Sequence, residues 1–191
     1  MSVNTVVGVL AFHGDFAEHL QILRQINATA IEVRSLNDLN RVDRLIIPGG
    51  ESTVMSRFLT MSGVGDAIKG RVKKDTLAVY GTCAGAILLA SKVTGKNAPT
   101  PLGLMDIAVD RNAYGSQMQS FMADLKIKGL KGTHSVAFIR APVITKVGSG
   151  VDVLAIHKGN PVLVKHGRLL AGTFHPEVRD QTAVHQMFLE L

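Results

Sequence analysis

The fold of this chain is decided at residues 77–85, which read Leu77-Ala78-Val79-Tyr80-Gly81-Thr82-Cys83-Ala84-Gly85. The apolar run Leu77 to Tyr80 predicts a buried strand, and Ala84 to Ala90 predicts a helix directly after it. Cys83 then lies on a sharp strand-to-helix turn, where the flanking glycines allow a tight backbone. Because a thiol at a helix N-terminus ionises more readily, this pattern predicts a nucleophile. A lone cysteine is otherwise most often a small buried hydrophobic residue.

A base and a group that can orient it follow a later strand. The apolar run Leu169 to Phe174 predicts that strand, and His175-Pro176-Glu177 comes next. Pro176 fixes its own φ and biases His175 towards an extended conformation. Residues i and i+2 of an extended segment share a face, so we expect Glu177 to hold one ring nitrogen of His175. The other nitrogen then faces Cys83, which makes Cys83, His175 and Glu177 the candidate catalytic triad.

A glycine-rich loop supplies candidate donors to an oxyanion. The run Arg44 to Ile47 predicts a strand that leads into Pro48-Gly49-Gly50-Glu51-Ser52-Thr53 and a helix. The backbone N–H of Gly50 and that of Ala84, the residue after the nucleophile, are the two donors that we expect to bind the oxygen of a tetrahedral intermediate. The alternative is an ordinary Pro-Gly-Gly turn.

Apolar runs and amphipathic segments alternate through the first half of the chain. Strands are predicted near 5–11, 30–34, 44–47 and 77–80, and helices near 16–27, 53–60, 64–73 and 84–90. This order predicts a parallel sheet. The later strand-like runs, at 107–110, 121–127, 135–139, 153–157, 162–165 and 169–174, predict largely antiparallel pairs before a closing helix at 182–191. We therefore expect one domain over residues 1–191, an α/β open three-layer sandwich of flavodoxin-like type with a mixed, mostly parallel sheet flanked by helices.

Composition narrows the class of protein. A hydrophobic content of 46% can bury a core, and one cysteine excludes an internal disulfide framework. No apolar run approaches the roughly 20 residues that span a bilayer and no signal peptide is evident, so we expect a cytoplasmic location without a membrane partner. The net charge of +6 is dispersed and aromatic residues make up 5%, which argues against a nucleic-acid partner. The histidines other than His175 show no metal-ligand spacing, and we interpret most of them as surface or second-layer groups.

Six motifs follow one another along the chain. They are Gly8-Val9-Leu10-Ala11-Phe12-His13-Gly14 with Glu18-His19, Pro48-Gly49-Gly50-Glu51-Ser52-Thr53, Gly81-Thr82-Cys83-Ala84-Gly85, Arg111-Asn112-Ala113-Tyr114-Gly115, Phe138-Ile139-Arg140-Ala141-Pro142 and Phe174-His175-Pro176-Glu177. In this order they resemble the class I, or triad, glutamine amidotransferases, and within them the glutaminase subunits of pyridoxal 5′-phosphate synthase. The resemblance covers essentially the whole chain. Two positions depart from the family's pattern, because His13 stands where glutamine is common and Ser116 where arginine is common.

The resemblance implies an activity, a substrate and a partner. It implies hydrolysis of L-glutamine to L-glutamate and ammonia through a glutamyl thioester, with no cofactor and no metal. The ammonia would pass to a synthase subunit within a large hetero-oligomeric complex, where the vitamin B6 cofactor is made. The residues that match the family's glutamine contacts are Gly49, Gly50, Glu51, Arg111, Ile139 and Arg140. We also expect docking of the synthase to activate the chain by reorganising the Gly49-Gly50 loop, with His13 and Glu18 as candidate docking residues.

Other interpretations stay open at this point. The same triad could serve a different acceptor, such as an imidazole glycerol phosphate or aminobenzoate synthase, although the motifs at 111–115 and 138–142 argue against that. A regulatory module that keeps the fold without the chemistry would usually lack one of the triad residues, and all three are present. A single-domain hydrolase of the related cysteine peptidase type would have no reason for the glutamine-contact motifs.

Overall fold

A computed structural model describes residues 5–111, 120–179 and 181–191. The strands are β1 (Val6–Leu10), β2 (Thr29–Val33), β3 (Arg44–Ile47), β4 (Ala78–Thr82), β5 (Ala90–Thr94), β6 (Met105–Asp110), β7 (Ser120–Leu125), β8 (His134–Ile139), β9 (Val143–Val147), β10 (Asp152–His157), β11 (Asn160–His166) and β12 (Leu169–Gly172). The helices are α1 (Phe16–Gln25), α2 (Leu36–Leu39), α3 (Ser52–Met61), α4 (Val64–Lys73), α5 (Ala84–Leu89) and α6 (Thr182–Leu189), and a 3₁₀ turn covers Pro176–Arg179.

The central sheet has seven strands in the order β10-β11-β12-β4-β3-β1-β2. The five strands from β12 to β2 are parallel to one another, and β11 and β10 extend the sheet in antiparallel fashion. The mixed, mostly parallel sheet that the sequence predicts is therefore confirmed. β4 lies between β3 and β12, so the carboxyl ends of these three strands meet at one edge, which is where open α/β sheets place their sites.

The two faces of the sheet pack against different helices because successive side chains of a strand point to opposite sides. On one side, Leu45 and Val79 share a buried cluster with side chains of α2, α3, α4 and α5. On the other side, Ile46 and Tyr80 pack with side chains of α1 and α6. Every residue of β4 is buried, as expected for a central strand covered on both faces. This arrangement confirms the three-layer sandwich.

Smaller sheets complete the second half of the chain. β7 and β8 form an antiparallel pair, with registers from Ser120 opposite Ile139 to Leu125 opposite His134. β6 pairs with β9 in antiparallel fashion and with β5 in parallel fashion. The expectation of largely antiparallel pairs here is met, with β5–β6 and β4–β12 as the parallel exceptions.

Some element boundaries differ from the predictions. The helix predicted at 84–90 ends at Leu89, and Ala90 begins β5. This strand was not predicted because its sequence, Ala-Ser-Lys-Val-Thr, is mostly polar and exposed and contains no apolar run. β9 is missed as well, since two of its five residues are buried without a clear alternation. The strand predicted at 169–174 ends at Gly172. Among the described residues, no helix is both long enough and apolar enough to cross a membrane.

Candidate active site

The nucleophile candidate lies on a strained turn. Cys83 follows β4 directly and has φ 48° and ψ −101°, a backbone conformation that a non-glycine residue adopts only where the surroundings impose it. The glycine two residues later explains how the turn is possible, because a Cβ on Gly85 would lie 1.9 Å from the carbonyl oxygen of Ile47 in β3. The elbow is therefore set by close packing of α5 on the sheet. It holds a thiol that is 8% exposed at the N-terminus of α5.

His175 and Glu177 form a buried pair beside the elbow. Nδ1 of His175 lies 2.7 Å from Oε1 of Glu177, and the two residues are each 4% exposed. The backbone N–H of His175 donates to the carbonyl oxygen of Ala137 in β8, which fixes the segment. The structure thus brings together the two residues that the sequence analysis paired. The reason given there was wrong, since the chain leaves the strand at Gly172 and Glu177 lies in the 3₁₀ turn rather than on an extended face.

The environment of His175 favours its charged form. Burial acts to lower the pKa of His175, but interactions with Asp15, Cys83 and Glu177 outweigh it and raise the pKa to about 12. Burial raises the pKa of Glu177, against the lowering effect of its hydrogen bond with His175. Because Nδ1 is engaged by Glu177, Nε2 is the nitrogen left to face Cys83. The arrangement suits a thiolate paired with an imidazolium, the activated state of a cysteine nucleophile.

Asp15 is a further neighbour of the base that was not predicted from the sequence. It immediately precedes α1, and its Oδ2 lies 3.4 Å from Nδ1 of His175. Its side chain is 41% exposed, and the interaction with His175 lowers its pKa. The available signal was its position directly after Gly14 of the first motif, in the loop between β1 and α1, because a parallel strand delivers its loop to the same sheet edge.

The Gly49-Gly50 loop follows β3 and contacts both Asp15 and the ring of His175. A Cβ on Gly49 would lie 2.5 Å from the ring of His175, so only a glycine fits there without a shift. Gly50 has φ 143°. The carbonyl oxygen of Gly49 accepts a 3.4 Å hydrogen bond from the backbone N–H of Asp15. In a trans peptide the N–H points opposite to the carbonyl, so the N–H of Gly50 points away from Asp15.

A cavity of about 620 Å³ opens in front of the thiol. Both predicted oxyanion donors, Gly50 and Ala84, line it together with Cys83 and His175. Of the residues predicted to contact glutamine, the structure places these in the cavity wall: Gly50, Glu51, Arg111, Ile139 and Arg140. Gly49 does not line the cavity and lies instead behind it against the ring of His175.

Two opposite charges face each other in the cavity wall. Nη2 of Arg111 lies 3.0 Å from Oε1 of Glu51. The other oxygen of Glu51 caps α3, since it accepts from the N–H of Val54 at 2.9 Å and from the hydroxyl of Thr53. Burial acts to raise the pKa of Glu51, but these hydrogen bonds outweigh it and lower the pKa. A carboxylate beside a guanidinium can meet the ammonium and the carboxylate of a free amino acid.

The segment after β8 completes the wall near the thiol. The carbonyl oxygen of Ile139 lies 3.9 Å from Sγ of Cys83. Arg140 has φ 44°, an uncommon conformation for a residue with a side chain. Strain of this kind is found where a backbone group has to be aimed at a ligand.

The structure also locates the other histidines and the candidate docking residues, for which the sequence predicted no specific position. His19 and His185 are fully buried beneath the triad, so they belong to the second layer and not to the surface. His13 and Glu18 both line the cavity. Ser116 lies outside the described residues, as does most of the motif that begins at Arg111.

Within the part of the chain that the structure describes, one group of side chains offers possible metal ligands. Ligand atoms of Asp15, His175 and Glu177 all lie within 4.8 Å of one another. Nδ1 of His175 already makes the hydrogen bond to Glu177, so a metal there would compete with the pair that orients the base. The absence of a metal in the mechanism therefore stays a prediction.

Comparison with known proteins agrees with this geometry. The model of the SNO glutamine amidotransferase family matches residues 9–191. A pyridoxal 5′-phosphate synthase subunit PdxT from Thermus thermophilus is 48% identical over 186 residues, with 97% of each chain covered. The PdxT subunit from Chloroflexus aurantiacus is 51% identical over 191 residues, which cover 97% of this chain and 99% of that one.

Solved structures show the same relationship. The crystal structure of a glutamine amidotransferase superposes with a TM-score of 0.92 at 44% identity, covering 96% of this chain and 97% of the other. A structure of PurLQS from Thermotoga maritima has a TM-score of 0.69 at 17% identity, covering 98% and 99%, which is a likeness of fold alone. The site geometry described above thus occurs in a chain that matches one family model over nearly its whole length. On that match, the chain belongs to the SNO glutamine amidotransferase family.

Proposed function

We propose that this chain, as one domain over residues 1–191, is the glutaminase subunit of a pyridoxal 5′-phosphate synthase. It hydrolyses L-glutamine to L-glutamate and ammonia. The observation that carries the proposal is the strained elbow of Cys83 in one cavity with the buried pair His175 and Glu177. Relatives that are 48% and 51% identical over nearly the full length carry the name of that subunit.

The reaction begins from the ion pair in which the proton of Cys83 has already passed to Nε2 of His175, and the thiolate attacks the side-chain amide carbon of glutamine. The carbonyl oxygen becomes an oxyanion, which the N–H groups of Gly50 and Ala84 bind. His175 then protonates the amide nitrogen, the C–N bond breaks and ammonia leaves a glutamyl thioester on Cys83. Water gives a proton to His175 as it attacks the thioester, and the thiolate leaves and is reprotonated, which releases glutamate.

Substrate recognition falls to the charged wall of the cavity. Glu51 and Arg111 offer a carboxylate and a guanidinium to the ammonium and the carboxylate of glutamine. The backbone around Ile139 and Arg140, with Gly49 and Gly50 opposite, supplies polar groups near the reacting amide. In the free chain Glu51 and Arg111 pair with each other, so binding of glutamine exchanges one ion pair for two. No cofactor takes part in these steps.

The partner is a synthase subunit, in a large hetero-oligomeric complex, that receives the ammonia. Docking of that subunit activates the chain by turning the Gly49–Gly50 peptide. In the free chain the oxygen of Gly49 in this peptide accepts a long hydrogen bond, 3.4 Å from the N–H of Asp15. Such a contact is weak enough for an interface to replace. A cytoplasmic location is part of the same proposal.

The test is release of glutamate from glutamine by the wild type and by Cys83→Ala, each with and without the synthase subunit. We expect hydrolysis that increases strongly with the synthase, that Cys83→Ala abolishes, and that supports synthesis of pyridoxal 5′-phosphate from glutamine. Ammonium salts should support that synthesis with Cys83→Ala as well, since the variant loses only the source of ammonia. Equal hydrolysis with and without the synthase would refute the partner, and hydrolysis by Cys83→Ala would refute the nucleophile.

A further inference from the structure

A buried polar cluster lies behind the triad and takes no part in the reaction as described. It consists of His19 on α1, His185 on α6 and Thr82 on β4, together with the outer oxygen of Glu177. His19, His185 and Thr82 are each 0% exposed. Titratable side chains are seldom buried to this extent unless their polar atoms are matched by neighbours. The polar atoms of this cluster must therefore be matched by one another.

The outer oxygen of Glu177 is the atom in need of a donor. Oε1 is engaged by His175, whereas Oε2 is buried and makes no hydrogen bond to any of the described residues. A buried carboxylate oxygen without a donor disfavours the ionised form. Nε2 of His19 faces Oε2 at 3.5 Å. His19 can thus supply a donor to this oxygen if its proton is on that nitrogen.

The contact between the two histidines decides where the proton lies. Nδ1 of His19 is 2.8 Å from Nε2 of His185, so one of these nitrogens donates to the other. If His185 donates, His19 carries its proton on Nε2, between Oε2 of Glu177 and the hydroxyl of Thr82 at 3.1 Å. If His19 donates, its Nε2 lone pair faces the carboxylate, which is repulsive. Nδ1 of His185 makes no hydrogen bond of ordinary geometry within the described residues, although the backbone of Gln181 acts to raise the pKa of His185 against burial. The carboxylate of Glu177, which repels a lone pair on Nε2 of His19, therefore favours the tautomer in which His185 donates.

The surroundings keep both rings neutral. Burial, followed by the nearby His185 and His175, lowers the pKa of His19 well below its usual value. Burial also lowers the pKa of His185 to about 4. The other titratable groups that face the pair are Glu177 and Tyr80, whose ring edge meets the ring of His185. His19 is therefore a neutral donor near pH 7, oriented by a neutral neighbour.

We propose that His19 is a positioning residue whose Nε2–H, shared with the hydroxyl of Thr82, faces the outer oxygen of Glu177 at 3.5 Å and stabilises its negative charge, which keeps the inner oxygen on Nδ1 of His175. This inference rests on the proposed triad. Loss of the donor disfavours the ionised carboxylate, which weakens the imidazolium of His175. The thiolate of Cys83 then becomes less populated at neutral pH. His19 acts on the nucleophile through two intermediate residues and touches no substrate.

Two amide variants separate this role from packing. In His19→Gln the amide nitrogen can take the place of Nε2 and still donate to Glu177. In His19→Asn the shorter side chain places its amide near the position of Nδ1, so it can still meet His185 but loses the donor to Glu177. A packing role predicts similar effects for both variants, whereas the proposed role predicts a defect in His19→Asn and recovery in His19→Gln.

The first readout is alkylation of the thiol by iodoacetamide as a function of pH. Cys83 is the one cysteine of the chain, so the reaction reports on it alone, with Cys83→Ala as the blank. We expect the midpoint of the rate profile to move about one pH unit higher in His19→Asn, equivalent to about tenfold less thiolate below the midpoint. His19→Gln should keep the wild-type midpoint. An unchanged midpoint in His19→Asn, or equal shifts in both variants, would overturn the proposal.

The second readout is turnover of glutamine in the complex with the synthase subunit. We expect kcat to fall about tenfold in His19→Asn with KM within about twofold, since the substrate contacts are untouched. Raised KM with unchanged kcat would contradict the proposal. If the wild type shows no glutaminase activity, the proposed function fails, whereas the alkylation profile still decides the role of His19.

A third readout needs no variant and covers the case in which His19→Asn does not fold. Nitrogen-15 NMR of the histidine rings in the wild-type chain shows which nitrogen of His19 carries the proton. A proton on Nε2 is the expected result. A proton on Nδ1 would leave no donor towards Glu177 and would overturn the inference.

Discussion

His185 makes the stability of this protein sensitive to mild acid, and the effect can be calculated. Burial lowers the pKa of His185 from an ordinary value of 6.5 to about 4 in the folded state. Between these two values the unfolded chain binds a proton that the folded chain does not. The free energy of unfolding therefore falls as the pH falls from above 6.5 towards 4.

The expected loss follows from the two pKa values. Each pKa unit corresponds to about 1.4 kcal/mol, so His185 contributes about 3 kcal/mol of stability above pH 6.5 that is lost by pH 4. Between pH 7.5 and pH 5 the loss is about 2 kcal/mol. Since domains are stable by only about 5–15 kcal/mol, this is a large fraction of the total. The raised pKa of His175 acts in the opposite direction over this interval and offsets part of the loss, because His175 stays protonated in the folded state while the unfolded chain gains its proton only as the pH falls.

Urea unfolding at pH 7.5 and pH 5, followed by circular dichroism, measures the effect. The comparison is between the wild type and His185→Gln, whose amide cannot titrate but can still donate to His19. We expect the wild type to lose about 2 kcal/mol more than the variant over this interval. His19, Glu177 and Asp15 titrate in both proteins, so the difference isolates His185. Equal losses in both proteins would refute the reasoning, because they would show that His185 is not held neutral by burial.

Further variants test the elbow and the base. Gly85→Ala should destabilise the fold by more than about 3 kcal/mol, because the new methyl group would lie 1.9 Å from a carbonyl oxygen of β3. Gly70→Ala in α4 is the control: its methyl group would meet nothing within 4 Å, so it should stabilise the fold by about 0.5–1 kcal/mol. Urea unfolding measures both changes. Glu177→Gln should lower kcat for glutamine at least about 100-fold, and Glu177→Asp should retain more activity, as steady-state kinetics can measure. Equal kcat values for the two variants would contradict the orienting role of Glu177. Asp15→Asn should move the alkylation midpoint of Cys83 to higher pH, and less than Glu177→Gln does, because the Asp15 side chain is 41% exposed and its charge is screened; a larger shift than that of Glu177→Gln would show that Asp15 is the main partner of the base.

The parts of this structure that the sequence predicts are those that depend on short stretches of chain. The apolar runs before Gly49 and Cys83 predict two strands, and the order of strands and helices predicts that they are parallel. Parallel strands deliver their following loops to one edge, so the meeting of these two segments follows from topology without knowledge of any side-chain contact. The run before His175 is predicted among the largely antiparallel strands, and the structure instead pairs it in parallel with β4. The elbow is also predicted from a short stretch of sequence, since a cysteine between closely spaced glycines after a strand is typical of a nucleophile on a tight turn.

The parts that the sequence does not predict depend on contacts between distant segments. The contact between His19 and His185 joins positions 166 residues apart, and neither residue stands in a pattern that distinguishes a buried histidine from an exposed one. Asp15 is missed for the same reason, because its distance to His175 depends on how the loop after β1 turns. The pairing of His175 with Glu177 was predicted from an extended strand and is produced by a 3₁₀ turn, which shows that the same contact can arise from different backbones.

Asp15 connects the two parts of the site that would change together in the proposed activation. Its backbone N–H holds the oxygen of Gly49, and its carboxylate lies 3.4 Å from the ring nitrogen of His175. Turning the Gly49–Gly50 peptide to aim its N–H at an oxyanion breaks the first contact and frees the segment that carries the second. The ring of His175 also lies against Gly49, where any side chain would collide with it. A partner that moves this loop therefore changes the donor to the oxyanion and the electrostatic environment of the base in one step, without needing to touch the thiol.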